Sequence, residues 1–313
     1  MSRVKTMMLA VAATSLMAVA VPAGASAALQ VPYGGEALGD FAFNEVFAPT
    51  SVAGANNNCK PSAAHPYPVV LVHGTVEDEG SNWVTLSPLL SNAGYCVYAF
   101  NYGEALLSFG GRVDGLNYIE KSAEELASFV NSVLSKTKAS KVDIVGHSQG
   151  GLMPNYYIKF LGGAAKVETL IGLAPSNHGT TLSGLTNLID DIPGGSFFAG
   201  SLAQLLGAPS LIQQEIGSTF ETHLFSGGVV SPQVKYVVIE STHDEVVTPY
   251  TNAFLEAGAN VTNITIQSQC PNDKTEHIGM IEDSPSLQNV LNQLGETPNP
   301  SFKATCTNYG AEL

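Results

Sequence analysis

Basic residues are scarce in this chain. Its 313 residues carry 13 Lys and Arg against 27 Asp and Glu, a formal net charge of −14. No stretch is rich in Lys or Arg, so a nucleic-acid partner is excluded, and the sign of the charge opposes an anionic membrane. Charged residues of both signs make up 13% of the chain against 44% hydrophobic, a balance that fits a large buried core. No internal repeat is present. The Cys-x-x-Cys pattern is missing, which leaves a zinc or thioredoxin-type reading with little support. Beyond residue 27 no run of about 18 apolar residues occurs, so no membrane span is expected there.

The one long apolar run lies at the start. Arg3 and Lys5 precede an apolar stretch from Met7 to Val21, and Ala25-Ser26-Ala27 follows as a small-residue cleavage site. Residues 1–27 therefore read as a secretory signal, and 28–313 as a single exported α/β domain. Without Arg3 and Lys5, 11 basic residues stand against 27 acidic ones, and the net charge becomes −16. All four cysteines, Cys59, Cys96, Cys270 and Cys306, lie in the exported part. An even count in an oxidising compartment points to two disulfides. Of three pairings, Cys59–Cys96 with Cys270–Cys306 closes the shorter loops. A monomer is expected.

The rest of the chain is organised around Lys141 to Gly151, KVDIVGHSQGG. Val142, Ile144 and Val145 form a short apolar run suited to a buried parallel strand. It enters Gly146-His147-Ser148-Gln149-Gly150, and Leu152, Met153, Tyr156, Tyr157 and Phe160 follow at helical spacing. The pentapeptide alone is common enough to arise by chance in a Gly- and Ser-rich chain. Strand, G-x-S-x-G and helix together are the nucleophile elbow of the α/β-hydrolases. The glycines remove side chains where strand and helix close on each other. Ser148 then stands at a helix N-terminus, where N–H groups favour a developing negative charge.

Residues Leu29 to Pro68 are rich in Gly, Ala, Asn and Pro and read as an extended lead-in with little regular structure. Val69 to Val72 form a strand ending in His73-Gly74-Thr75. There the fold places a second oxyanion donor, so the backbone N–H of Thr75 is paired with that of Gln149. His73 comes too early in the chain for the base and reads as structural. A helix is expected over Trp83 to Asn92, interrupted or kinked at Pro88, and a strand over Cys96 to Phe100. Tyr118 to Thr137 carry a helical stripe, with Glu120, Glu124 and Glu125 on the solvated side. The elbow strand and helix follow, then a strand from Val167 to Ala174. Alternating strands and helices argue a mostly parallel sheet with helices on both faces.

After Pro175 the pattern changes. Residues 176–228 are Gly-rich and apolar, without clean strand signals. Leu182, Leu185, Leu188 and Ile189 suggest one helix, and Phe197, Phe198, Leu202, Leu205, Leu206, Leu211 and Ile212 suggest more. Two readings stand: ordinary core helices, or a helical cap over Ser148 that forms an acyl pocket or lid. His178, Asp190 and Asp191 in this stretch read as structural.

Lys235 to Glu240 begin the next strand, followed by His243, Asp244 and Glu245. An acid just past a late strand is where the triad carboxylate belongs, and Asp244 is preferred to Glu245. Val261 to Ile266 form the last strand. His277 lies on the loop beyond it, in position for the general base, and the order Ser148, Asp244, His277 is that of this fold. His243 precedes the acid and would break that order.

Three stretches, CKPSAAHPYPVVLVHGT, GYCVYAFNYG and VDIVGHSQGGLMPNYYIKFLGG, resemble the secreted triacylglycerol lipases of actinobacteria, the lipase class 2 family. The resemblance runs from about Cys59 to Cys306. It implies an α/β-hydrolase with Ser148 as nucleophile and Asp244 and His277 completing the triad. It also implies hydrolysis of acylglycerols or simpler esters, and it supports the cysteine pairing. The substrate partner would then be an ester, in one case at a lipid–water interface. This chemistry requires no metal and no organic cofactor.

Overall fold

The computed structural model describes residues 27–47, 51–106, 108, 110–181, 183, 184, 187 and 207–312. Six strands form one sheet: β1 (Val69–Val72), β2 (Val97–Phe100), β3 (Val142–His147), β4 (Val167–Leu173), β5 (Lys235–Glu240) and β6 (Val261–Thr265). Their order is β2-β1-β3-β4-β5-β6. Each of the five neighbouring pairs is parallel.

Parallel strands need crossovers, and the helices that supply them cover both faces. The alternation along each strand divides the core in two. Val70, Val72, Tyr98, Ile144, Tyr236 and Val238 point to the side of α4 (Ile119–Thr137) and α5 (Gln149–Phe160). Val69, Leu71, Val97, Val145, Ile171 and Ile239 point to the side of α3 (Leu86–Asn92) and α8 (Ser284–Leu294). Both central layers are therefore dry. Two short helices, α6 (Pro209–Gln213) and α7 (Thr219–Phe225), stand between β4 and β5.

The expected helical stripe of α4 is buried at Ile119, Ala123, Leu126, Val130 and Val133. Its acidic side is less idle than expected. Glu124 pairs with Lys121 at the surface. Glu120 instead accepts from Gln213 Nε2 at 2.7 Å, and Glu125 accepts from the Gly103 N–H at 3.0 Å.

Two expectations need correction. The lead-in is not without structure: Gly35–Phe47 is a helix, α1. Its glycines weaken the local signal. Tertiary contact stabilises it instead, through the buried Ala37 and Phe41 and the Asn44 amide that donates to Gly80 O at 2.7 Å. The helix expected over Trp83 to Asn92 begins only at Leu86, as α3, and runs unbroken to Asn92; a separate short helix, α2 (Glu79–Asn82), precedes Trp83. Pro88 sits in the first turn of α3, where the missing N–H costs no intrahelical bond.

Both disulfides form as paired above, Cys59 to Cys96 and Cys270 to Cys306, with Cα atoms 5.8 and 5.4 Å apart. The residues 1–26 of the signal reading lie outside the described residues. So do Leu182, Leu185, Leu188, Ile189, Asp190, Asp191, Phe197, Phe198, Leu202, Leu205 and Leu206 of the cap reading. Leu211 and Ile212 are in α6.

Candidate active site

β3 delivers His147 and Ser148 at the C-terminal edge of the sheet, and α5 leaves at Gln149. Ser148 has φ +53° and ψ −122°, a conformation that costs a residue with a Cβ about 1–3 kcal/mol. The surroundings hold it there. Its N–H donates to Leu173 O at 2.9 Å, and its carbonyl accepts from Gly151 and Leu152. A Cβ at Gly146 would lie 1.9 Å from Gly150 O, and one at Gly150 would lie 2.0 Å from Val72 O. Only glycine permits so tight an elbow. Ser148 is 2% exposed.

Asp244 stands just past β5, and His277 on the loop after β6. Asp244 Oδ1 accepts the N–H groups of Val246 and Val247 at 2.8 and 2.7 Å. Its Oδ2 lies 2.8 Å from His277 Nδ1. The neighbouring Glu245 has no hydrogen bond at either buried carboxylate oxygen among the described residues, and burial pushes its carboxyl up to about 8. His243 is exposed. The pair His277–Asp244 is fully buried. Burial pulls the His277 imidazole down, but the charge and hydrogen bond of Asp244, with help from Glu245 and Glu77, lift it above its ordinary value. Glu240, buried beside this pair, stands well above the carboxylate range through desolvation and the Asp244 charge. His277 Nε2 is buried and has no partner among the described residues. It is thus left for a hydroxyl or a reacting proton.

Thr75 and Gln149 meet across the elbow. Gln149 Nε2 donates to Thr75 Oγ1 at 2.8 Å and to Gly115 O at 2.7 Å. Gln214 Nε2, from the segment after β4, donates to the same Thr75 Oγ1 at 2.9 Å. With two donors already on its oxygen, the Thr75 hydroxyl has its own proton to give elsewhere. The backbone N–H groups of Thr75 and Gln149 find no acceptor among the described residues. Val76 follows with φ +62°, a conformation unusual for a β-branched residue.

A second histidine links these parts. His147 Nδ1 lies 3.1 Å from Glu77 Oε2, and its Nε2 lies 3.2 Å from the His277 carbonyl. Glu77 Oε2 also accepts the Gly74 N–H at 2.7 Å. The Asn82 amide touches the same Nδ1 at 3.2 Å; turned about, its oxygen would face the ring. The chain Gly74–Glu77–His147–His277 ties the loop that carries Thr75 to the loop that carries His277. His73 is apart from this chemistry. It is stacked on Tyr102 with ring centroids 4.3 Å apart, and burial pushes it down to about 4.

Residues 66–289 match the family model described as lipase (class 2). The chain belongs to the lipase class 2 family. Lipase B of Pseudozyma antarctica is 26% identical over 245 residues, 74% of this chain and 64% of that protein. A triacylglycerol lipase of Pseudarthrobacter phenanthrenivorans is 39% identical over 99 residues, 30% of this chain and 28% of that one. The chain thus spans less than two thirds of the length of either relative. Among solved structures, Aspergillus fumigatus lipase B superposes with a TM-score of 0.60 at 24% identity, over 81% of this chain and 57% of that one. Bacillus licheniformis lipase BlEst2 in mature form gives 0.54 at 17% identity, over 77% and 96%. These likenesses establish the α/β-hydrolase fold.

An apolar cluster adjoins the candidate site residues of this class 2 lipase chain. Val76 follows Thr75, Val246 lies two residues beyond Asp244, and Ile278 follows His277. All three pack in one cluster with Phe41, Leu116 and Leu211. Among the described residues no three His, Cys, Asp or Glu side chains come together as a metal site, and no helix is long and apolar enough to cross a membrane. Sequence reasoning missed Gln214, Glu77 and the linking role of His147. Gln214 lies in a segment without clean strand signals, and Glu77 sits in an acidic run, Glu77-Asp78-Glu79, that carries no local motif.

Proposed function

We propose that the chain is a secreted carboxylic ester hydrolase that acts on acylglycerols through Ser148, His277 and Asp244. The observation that carries this reading is the buried 2.8 Å contact of Asp244 with His277, whose other ring nitrogen has no partner among the described residues. Ser148 Oγ attacks the ester carbonyl carbon as His277 Nε2 takes its proton. Asp244 holds the imidazole in the required tautomer and stabilises the imidazolium. The Thr75 and Gln149 N–H groups, with the Thr75 hydroxyl, receive the negative oxygen of the tetrahedral intermediate. Each such donor contributes about 3–4 kcal/mol in this kind of chemistry. The intermediate collapses, and the alkoxide leaves with the proton held by His277. Water, deprotonated by the same His277, then attacks the acyl-enzyme and releases the carboxylic acid.

The signal-like residues 1–27 and two disulfides support export. The apolar cluster suits a fatty acyl chain better than a polar substrate. The test compares p-nitrophenyl esters from acetate to palmitate with emulsified triolein, using the unmodified chain and Ser148→Ala. Hydrolysis of long-chain esters and triolein that Ser148→Ala reduces by about 10⁴-fold or more supports the reading. Activity confined to short soluble esters would make the protein a short-chain carboxylesterase. Wild-type turnover by a folded Ser148→Ala chain would end the assignment.

A further inference from the structure

Asp244 shares one turn with two other carboxyl groups. Glu240 ends β5, and Asp244 and Glu245 follow it closely. Glu240 and Asp244 are buried, and so are both carboxylate oxygens of Glu245. Like charges so close in a dry place cannot all be present, so protons must be held among the three groups.

The hydrogen-bond donors decide where the charge stays. An ionised carboxylate offers about four acceptor positions. Asp244 has three of them filled: Val246 and Val247 N–H on Oδ1, and His277 Nδ1 on Oδ2. Glu240 has one, the Ser241 N–H on Oε1 at 2.7 Å. Its Oε2 is buried and meets no donor among the described residues. Donors stabilise a negative charge, so Asp244 keeps the charge and Glu240 keeps a proton. The side chains of Glu240 and Asp244 are in hydrogen-bond contact. Two carboxylates cannot make such a bond, because neither has a hydrogen to give.

The surroundings agree. Thr265 of β6 lies opposite Glu240 in the sheet, and β4 ends at Leu173, opposite Ile239; neither Thr265 nor Leu173 titrates. Ser241 Oγ donates to Thr275 O at 2.5 Å and ties the turn to the loop that carries His277. The charges that act on Glu240 are those of Asp244 and Glu245, both acidic, and burial comes before them in favouring its neutral form. His277 lies on the far side of this contact, held by Asp244.

We propose that Glu240 carries its hydrogen on Oε2 and donates it to the remaining acceptor position of Asp244. Glu240 is then a positioning residue. It fixes the carboxylate that orients His277 and does not itself meet the reacting atoms. Its effect on rate rests on the ester-hydrolase reading, whereas its proton can be tested without turnover.

The experiment titrates the His277 ring by NMR in Ser148→Ala protein, with Glu240→Gln or Glu240→Leu added. Glutamine keeps the pattern, since its oxygen accepts the Ser241 N–H and its amide donates to Asp244. Glu240→Gln should leave the His277 midpoint unmoved, because no charge is removed. A midpoint lowered by about one unit would mean that Glu240 had been ionised, and overturns the proposal. Leucine fills the space and gives no hydrogen. Glu240→Leu should raise the midpoint, because the Asp244 charge is no longer shared with a second donor. With Ser148 restored, Glu240→Leu should lower kcat on p-nitrophenyl butyrate by about tenfold or more with KM little changed, from the loss of one hydrogen bond to a charged group. Glu240→Gln should rescue that loss. Unchanged kcat in Glu240→Leu, or equal damage in both variants, overturns the positioning role. If Glu240→Leu fails to fold, the Glu240→Gln midpoint still decides where the proton lies. A parent inactive on every ester would end the hydrolase reading, and the His277 midpoints would still decide the state of Glu240.

Discussion

At the scale of single residues, the chemistry depends on a few atoms held against their local preference. Ser148 keeps φ +53° because Gly146 and Gly150 let strand and helix close to a distance no Cβ allows. Ser148→Gly should therefore abolish turnover and raise stability by about 1 kcal/mol, because glycine adopts positive φ without the steric cost. Calorimetry on the parent and the variant checks this, and a lower melting temperature in Ser148→Gly would contradict it. His277 shows the same opposition in electrostatic form. Burial disfavours its charge, and Asp244 overcomes burial and holds it above its ordinary 6.5. The base must be neutral to act, so kcat/KM should fall as pH drops through a midpoint above 6.5. Asp244→Asn removes the lifting charge. Its acid limb should move to lower pH while kcat falls by about 10⁴-fold. A pH–rate profile of the two proteins decides it, and an unmoved limb would show that Asp244 does not set the His277 proton.

At the scale of elements, the site is built where loops leave the C-terminal edge of one parallel sheet. β1, β3 and β5 bring Thr75, Ser148 and Asp244 to that edge. β6 leads to the His277 loop, which the Cys270–Cys306 bridge closes at a sequence separation of 36. His147 fastens the same loop from the other side through the His277 carbonyl. Replacing both Cys270 and Cys306 by Ser should cost about 4 kcal/mol in the chain-entropy account. It should also lower kcat more than it raises KM, since the base loop would be less firmly placed. Thermal melts and steady-state kinetics on one long-chain ester measure both. Unchanged kcat with lowered stability would leave the bridge a structural part only.

The molecule as a whole stores many neutral acids. Burial, first among the causes, pushes Asp78, Glu79, Asp143 and Asp283 up to about 7 and Glu282 up to about 8. A carboxyl raised in the folded state binds a proton that the unfolded chain has already lost. Its contribution is complete below the unfolded value near 4 and is lost as pH rises through about 7 to 8. His277, raised above 6.5, acts in the same direction. His73 acts in the other: it is lowered to about 4, so its contribution holds above 6.5 and is lost as pH falls toward 4. The melting temperature should accordingly be higher near pH 5 than at pH 8, by several degrees. Scanning calorimetry across that range checks the sign, and a maximum at pH 8 would refute the burial argument.

The sequence by itself determined the sheet and the positions of the proposed reacting groups. Short apolar runs fix strands, a 3.6-residue stripe fixes α4, and G-x-S-x-G between a strand and a helix identifies Ser148, because each of these is a local pattern with a period of a few residues. The chain order then placed Asp244 and His277 on loops after β5 and β6. Only the tertiary structure decided what supports them. Asp244 rather than Glu245 meets His277 because the Val246 and Val247 N–H groups turn the Asp244 carboxylate into place. Gln214 reaches Thr75 across 139 positions, and Glu77 reaches His147 across 70. Helix α1 exists because Phe41 and Asn44 find partners in the cluster beside the site and at Gly80. Contacts of that range leave no period in the sequence, since the residues that satisfy them are set by the packed fold and not by their neighbours along the chain.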